Sequence, residues 1–397
     1  SRASSRLVDG QALHDAVAKV NASSAGGTVL FDCGGPHTIT LTKSVFVSKK
    51  MTLDGGGTVT LSGGGKVRVI ELEHHLDFVI QRIDIVDGFV KAGSENQSGA
   101  GLLHPWFGTL EAIDVGFRNN HSESKDHDVG GGAIYAGGLT RSVFRGNSAT
   151  TYAESGQYGN GGGLYIDRMW LDAPKNFVMC GSVFEQNHAK VHGSALFSYN
   201  LEGTGATISS TTFAGNDMAG SPGGGTGSVY HEGVPLLLAG STFSNNSTGQ
   251  HAGGLFLGGG SDAKIENCTF DGNTTPGNAG ALWAGNGSVD VESCTFANSS
   301  ADYGPVIFKG QSGTVKLTNV IFANNTTENQ FSALACHETF QDGGGVIQWP
   351  AKKKSGSDDK PCTASAVFAD PKLAALADNG GPTRTLALAA GSPAIDV

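Results

Sequence analysis

Between residues 117 and 325 the sequence repeats itself. Phenylalanine recurs at Phe117, Phe144, Phe184, Phe213, Phe243, Phe270, Phe296 and Phe322, at intervals of 27, 40, 29, 30, 27, 26 and 26 residues. Three places after each stands Asn120, Asn147, Asn187, Asn216, Asn246, Asn273, Ser299 or Asn325. A Gly-rich stretch then leads to an aliphatic position, Ile134, Leu164, Leu196, Val229, Leu255, Leu282 or Ile307. The next residue is always aromatic: Tyr135, Tyr165, Phe197, Tyr230, Phe256, Trp283 or Phe308. Self-similarity at such a period marks a solenoid. Strand alternation turns the aliphatic position inward and sends the aromatic one outward.

Short strands, Gly/Asn turns and no helical period between them predict an all-β fold, a single right-handed parallel β-helix (solenoid). Roughly eleven coils between residues 28 and 330, stacked at about 4.8 Å, would make a rod about 50 Å long. Asn at a repeated turn suits both the left-handed backbone region and a stacked amide ladder. Residues 1–27 form an N-terminal segment with a capping helix over residues 9–20: Asp9 is the N-cap, and Leu13, Ala16, Val17 and Val20 share one face. Residues 331–397 break the Phe period and read as an irregular C-terminal cap.

Composition narrows the class further. Gly accounts for 61 of 397 residues and charged residues for 16%, against about 7% and 25% in ordinary domains. Coiled coils and acidic disordered tails are excluded, and without a G-X-Y period so is collagen. A net charge of −10 speaks against a nucleic-acid partner. No apolar run is long enough to span a membrane as a helix, so no transmembrane segment is expected. Cys336 and Cys362 flank a polar loop and are the expected disulfide, which implies an oxidising, extracytoplasmic site. Cys268 and Cys294 share one small inward column on neighbouring coils and read as buried thiols. The sequence opens at Ser1 rather than Met, as a trimmed mature or recombinant segment would.

The repeated Gly-Gly-Ala-Ile with Phe-x-x-Asn resembles the repeat family of polymorphic outer-membrane proteins. Leu376-Ala377-Asp378-Asn379-Gly380-Gly381-Pro382-Thr383 through Gly391-Ser392-Pro393-Ala394-Ile395-Asp396 resembles the end of bacterial "choice-of-anchor Q" β-helix proteins. This resemblance implies export and surface association. It says little of chemistry, because such β-helices serve as adhesins, passengers and polysaccharide-active enzymes.

The informative side chains are therefore those that depart from the repeat, and they gather in three successive turns. These are the segment His121 to Asp128, the segment Thr151 to Tyr158, and the turn with His188, Lys190 and His192. A groove rich in Tyr, His, Lys and Arg suits β-elimination of a uronic-acid polysaccharide. Lys190 or Arg168 would neutralise the carboxylate, His192 would take the C5 proton, and Tyr165 or Tyr230 would protonate the leaving oxygen. His127, Tyr152, Tyr158, Asp167, Tyr199, His231 and Glu232 would contact substrate. The expected protein is a secreted or surface-attached monomeric polysaccharide lyase acting on an acidic polysaccharide. The alternative is a non-catalytic adhesin or passenger that binds glycans or proteins, and a third reading is a glycoside hydrolase using Asp167 and Glu232. No cofactor and no metal site is expected; Glu123, Asp126 and Asp128 offer Ca²⁺ ligand types without a recognised loop spacing.

Overall fold

The computed structural model describes residues 2–5, 9–94, 96–123, 130–137, 141–145, 148–153, 159–167, 176–218 and 225–395, with the backbone alone for 2–5, 137, 141–145, 148–153 and 176. The described residues are nearly all β with one helix near the N-terminus, and the class is the right-handed parallel β-helix that the repeat predicts. It divides into two compact units, residues 1–204 and 205–397.

In the first unit the helix Gly10–Asn21 is capped by Asp9, whose carboxylate accepts the Ala12 N–H at 2.8 Å. Leu13, Ala16, Val17 and Val20 are its buried face, at most 2% exposed. The expected aliphatic column is present and begins earlier than the repeat suggests. Val45 pairs with Ile70, Ile70 with Leu102, Leu102 with Ile134, Ile134 with Leu164, and Leu164 with Leu196, all in parallel register. The aromatic neighbours do not face solvent as alternation predicts: Tyr165 is 0% and Phe197 5% exposed. Tyr165 meets Tyr135 and Phe197 edge-on, at centroid distances of 5.0 and 4.9 Å, so these rings shield one another.

The second unit shows the repeat at its most regular. Phe213, Phe243, Phe270, Phe296 and Phe322 are all 0% exposed. They stack in sequence at centroid distances of 4.7, 4.7, 4.8 and 5.4 Å. Beside them runs the amide ladder: Asn216 donates to Asn246 at 2.9 Å and Asn246 to Asn273 at 2.8 Å, and each of the last two also donates to the carbonyl of a Phe, 213 or 243. The left-handed conformation falls on the preceding residue instead, at Asn245, Asn298 and Asn324 with φ of 53–54°. Two adjacent positions thus divide the roles assigned to one asparagine: the first makes the bend, and the second places its side chain in the buried ladder. Cys268 and Cys294 are buried free thiols.

Parallel pairing continues beyond residue 330. Gln341–Asp342, Ile347–Trp349 and Val367–Phe368 add further rungs, and an antiparallel hairpin, Leu373–Ala377 with Thr385–Leu388, follows. The hairpin lays Leu386 on Ala297 and Ala323. The Phe column ends where Gln348 takes the register position opposite Phe322. This buried amide donates to Asp359 at 2.7 Å and the Lys360 carbonyl at 2.8 Å and accepts the Cys362 N–H at 3.0 Å, so the end of the stack closes on a satisfied polar network. Cys336 and Cys362 are disulfide-bonded across a separation of 26 residues. Replacing both by serine should lower the stability of this unit by about 3–4 kcal/mol, the chain-entropy value for a loop of this length. Denaturant titrations of the oxidised parent and the double variant check it.

Candidate functional site

The strand register brings the three polar turns together in the first unit. His121 pairs with Tyr152, and Tyr152 with His188, so the same position on three successive coils carries His, Tyr and His. After His188 the chain bends inward: the main-chain N–H groups of Lys190 and Val191 both donate to the Gly159 carbonyl at 3.0 Å. A Cβ on Gly193, at φ +60°, would lie 2.3 Å from the Leu196 carbonyl oxygen, so only glycine allows the chain to turn so tightly after His192.

That turn sets the His192 imidazole almost parallel to Phe197, with centroids 5.8 Å apart and an interplanar angle of 14°. Tyr199 lies parallel to Phe197 as well, at 5.5 Å and 15°. Burial lowers the His192 pKa to about 4, so the ring is neutral at pH 7. Asp167 pairs in register with Tyr199 and accepts the Tyr135 hydroxyl at 3.5 Å. Tyr165, Asp167, Lys190, His192 and Tyr199 therefore all lie on adjoining strands and turns of one unit. Tyr165 is fully buried, so its hydroxyl meets no solvent in this arrangement. His127, Tyr158 and Arg168 lie outside the described residues, as do Asp126 and Asp128 of the proposed Ca²⁺ ligands; of Tyr152 only the backbone is described. Among the described residues no group of three or more His, Cys, Asp or Glu could hold a metal ion.

Tyr230, His231 and Glu232 belong to the second unit. The Tyr230 hydroxyl donates to Glu232 Oε2 at 2.5 Å, and its ring stacks on Phe256 at 5.0 Å. His231 points the other way. It is 0% exposed, its ring N–H donates from Nε2 to the Val234 carbonyl at 2.7 Å, and burial lowers its pKa to about 4. A ligand contact through His231 is therefore corrected by the structure: strand alternation puts Tyr230 and Glu232 on one face and His231 in the core.

A family described as the right handed beta helix region matches residues 202–349. The match supports the β-helix; neither polymorphic outer-membrane repeats nor a choice-of-anchor Q segment has support beside it. Among solved structures, the crystal structure of PfbA, a surface adhesin of Streptococcus pneumoniae, is similar at 11% identity and a TM-score of 0.37, covering 82% of this chain and 90% of that one. No curated protein matches the chain. Among the described residues no helix is long and apolar enough to cross a membrane.

One set of polar residues lies where the sequence reading places no site, beyond residue 255. Lys309 occupies a column whose earlier members, His231, Leu257 and Ala284, are all buried. A lysine in an inward column is the signal that marks it.

Proposed function

We propose that the chain is a secreted or surface-attached β-helix protein that binds acidic polysaccharide along the flank of its first unit. The observation that carries this reading is the near-parallel run His192–Phe197–Tyr199 with Lys190 on the same turn. The partly exposed His192 and Tyr199 rings, held parallel by the buried Phe197 between them, offer apolar surface to sugars, and the lysine supplies a charge for a uronate. Binding is favoured over elimination because a base whose conjugate acid has a pKa near 4 is a weak acceptor for a C5 proton. Elimination is the second reading, supported by the closeness in sequence of Lys190 and His192, an uncharged ring able to accept a proton.

One experiment addresses both. The full chain is titrated calorimetrically with alginate, pectate and glycosaminoglycans while absorbance at 232 nm is followed. Saturable binding that weakens with salt, with no absorbance rise, is the expected result. Lys190→Ala should weaken it about fivefold, the effect of one partly exposed ion pair. A rise at 232 nm that His192→Ala abolishes would replace binding by lyase activity, and absence of binding to every polymer would refute both.

A further inference from the structure

In the second unit a cavity of about 770 Å³ is lined by Trp283, Asn286, Phe308, Lys309, Gln311 and Glu338 with their neighbours. That size falls within the roughly 300–1,000 Å³ usual for small-molecule sites. Its apolar side is the aromatic column, in which Trp283 stacks on Phe308 at 4.6 Å and Phe308 on His337 at 4.4 Å. Its polar side is held in place from several directions. Cys336, next to His337, bridges to Ile307 in the sheet and is disulfide-bonded to Cys362. His337 Nδ1 accepts the Lys309 main-chain N–H at 3.4 Å, which leaves Nε2 carrying the proton, 3.6 Å from Glu338. A Cβ on Gly310 would lie 2.3 Å from Asn286 Oδ1, so glycine there lets the rim loop close on Asn286.

The charges in this wall are already engaged. Lys309 Nζ lies 3.0 Å from Glu338 and donates to the Gly310 carbonyl at 3.1 Å, and only 13% of its side chain is exposed. The Lys309 hydrogen bond lowers the Glu338 pKa, and burial lowers that of His337, so the cluster is net neutral at pH 7. The Trp283 indole N–H, the Gln311 amide and the Ser312 hydroxyl, by contrast, have no partner among the described residues.

We infer that this cavity is a binding site for an uncharged pyranose, a neutral sugar unit of an oligosaccharide or polysaccharide. An apolar aromatic edge, unengaged donors and acceptors around it, and a charge-balanced, pre-organised wall match a ligand with an apolar ring and several hydroxyls. A free anion or cation finds no unpaired counter-charge here. The inference rests on no residue of the first unit and stands whether or not acidic polysaccharide binds there.

The test is calorimetric titration of the full chain with neutral hexasaccharides of glucose, mannose, galactose and N-acetylglucosamine, and with hexagalacturonate. At least one neutral oligosaccharide should bind. Gln311→Ala, on an exposed side chain, and Trp283→Phe, which keeps the ring stack and deletes the indole N–H, should each weaken that binding about fivefold to tenfold, as for one hydrogen bond, with the melting temperature unchanged. No binding by any neutral oligosaccharide overturns the inference, as does binding that both variants leave intact. Loss of hexagalacturonate binding in these variants would overturn the assignment to an uncharged ligand.

Discussion

Phe270→Ala should destabilise the second unit by about 3–5 kcal/mol, the upper range for a single buried aromatic. Phe270 has no exposed surface and is stacked on both faces, on Phe243 at 4.7 Å and on Phe296 at 4.8 Å. Deleting the ring therefore removes two aromatic contacts as well as buried area. The surroundings have little freedom to collapse into the gap. A Cβ added at Gly254 would already touch the Phe270 ring at 3.1 Å, and the neighbouring rings are held in place by strand pairs at Thr269↔Thr295 and Thr242↔Thr269. Phe270→Leu, which refills much of the volume, should cost less than half as much. Urea titrations of the two variants check the ordering. A loss below about 1 kcal/mol for the alanine variant would mean that the coils can close the cavity and that the stack is not rigid.

The phenylalanine and aliphatic columns are legible in the sequence because parallel stacking sets each residue against its equivalent one coil away. Phe243 pairs with Phe270 and Leu164 with Leu196, so a fixed period in the chain becomes a column in space. The helix cap is legible for a similar local reason, since Asp9 and the face from Leu13 to Val20 are set by spacings of three and four residues. The turn geometry is less so. The repeat shows that asparagine is required, but not that the buried ladder takes Asn246 while the left-handed bend takes Asn245.

For the candidate sites, the alignment of His121, Tyr152 and His188 follows from the period, and so is readable. Burial of Tyr165 is not, because it depends on how the rings of three coils tilt against one another, which strand alternation does not specify. The Lys309–Glu338 pair escapes for a different reason: Glu338 comes from the segment after the repeat ends, where no period relates it to Lys309. The column position of Lys309 was readable, but its partner was not. The Phe column likewise ends on Gln348, whose burial depends on Asp359 and Cys362 of the same non-repeating segment.

Acid should weaken both units well before their carboxylates are protonated. His104 in the first unit and His231 in the second are each 0% exposed, and burial lowers each pKa to about 4. Each donates a ring N–H from Nε2 to a main-chain carbonyl, Leu76 at 3.0 Å and Val234 at 2.7 Å, so each folds as the neutral ring. Nδ1 of His104 has no hydrogen-bond partner, so a second proton there would be buried without an acceptor. In the unfolded chain the same residues titrate near 6.5. Between pH 6.5 and about 4 the unfolded state therefore binds more protons than the folded one, and stability falls as pH falls. It is at its full value above pH 6.5, and the loss from these groups levels off below about pH 4. Each histidine should contribute a slope approaching about 1.4 kcal/mol per pH unit and a total loss of roughly 3 kcal/mol for its unit. Urea titrations at pH 7.0, 6.0, 5.0 and 4.5 would measure it, with His231→Gln as the control. That variant should be less stable at neutral pH, and in the second unit its stability should vary with pH by about one proton less. A stability that stays flat between pH 7 and 5 would show that the folded protein admits the proton at both sites, through a local opening that lets water reach the rings.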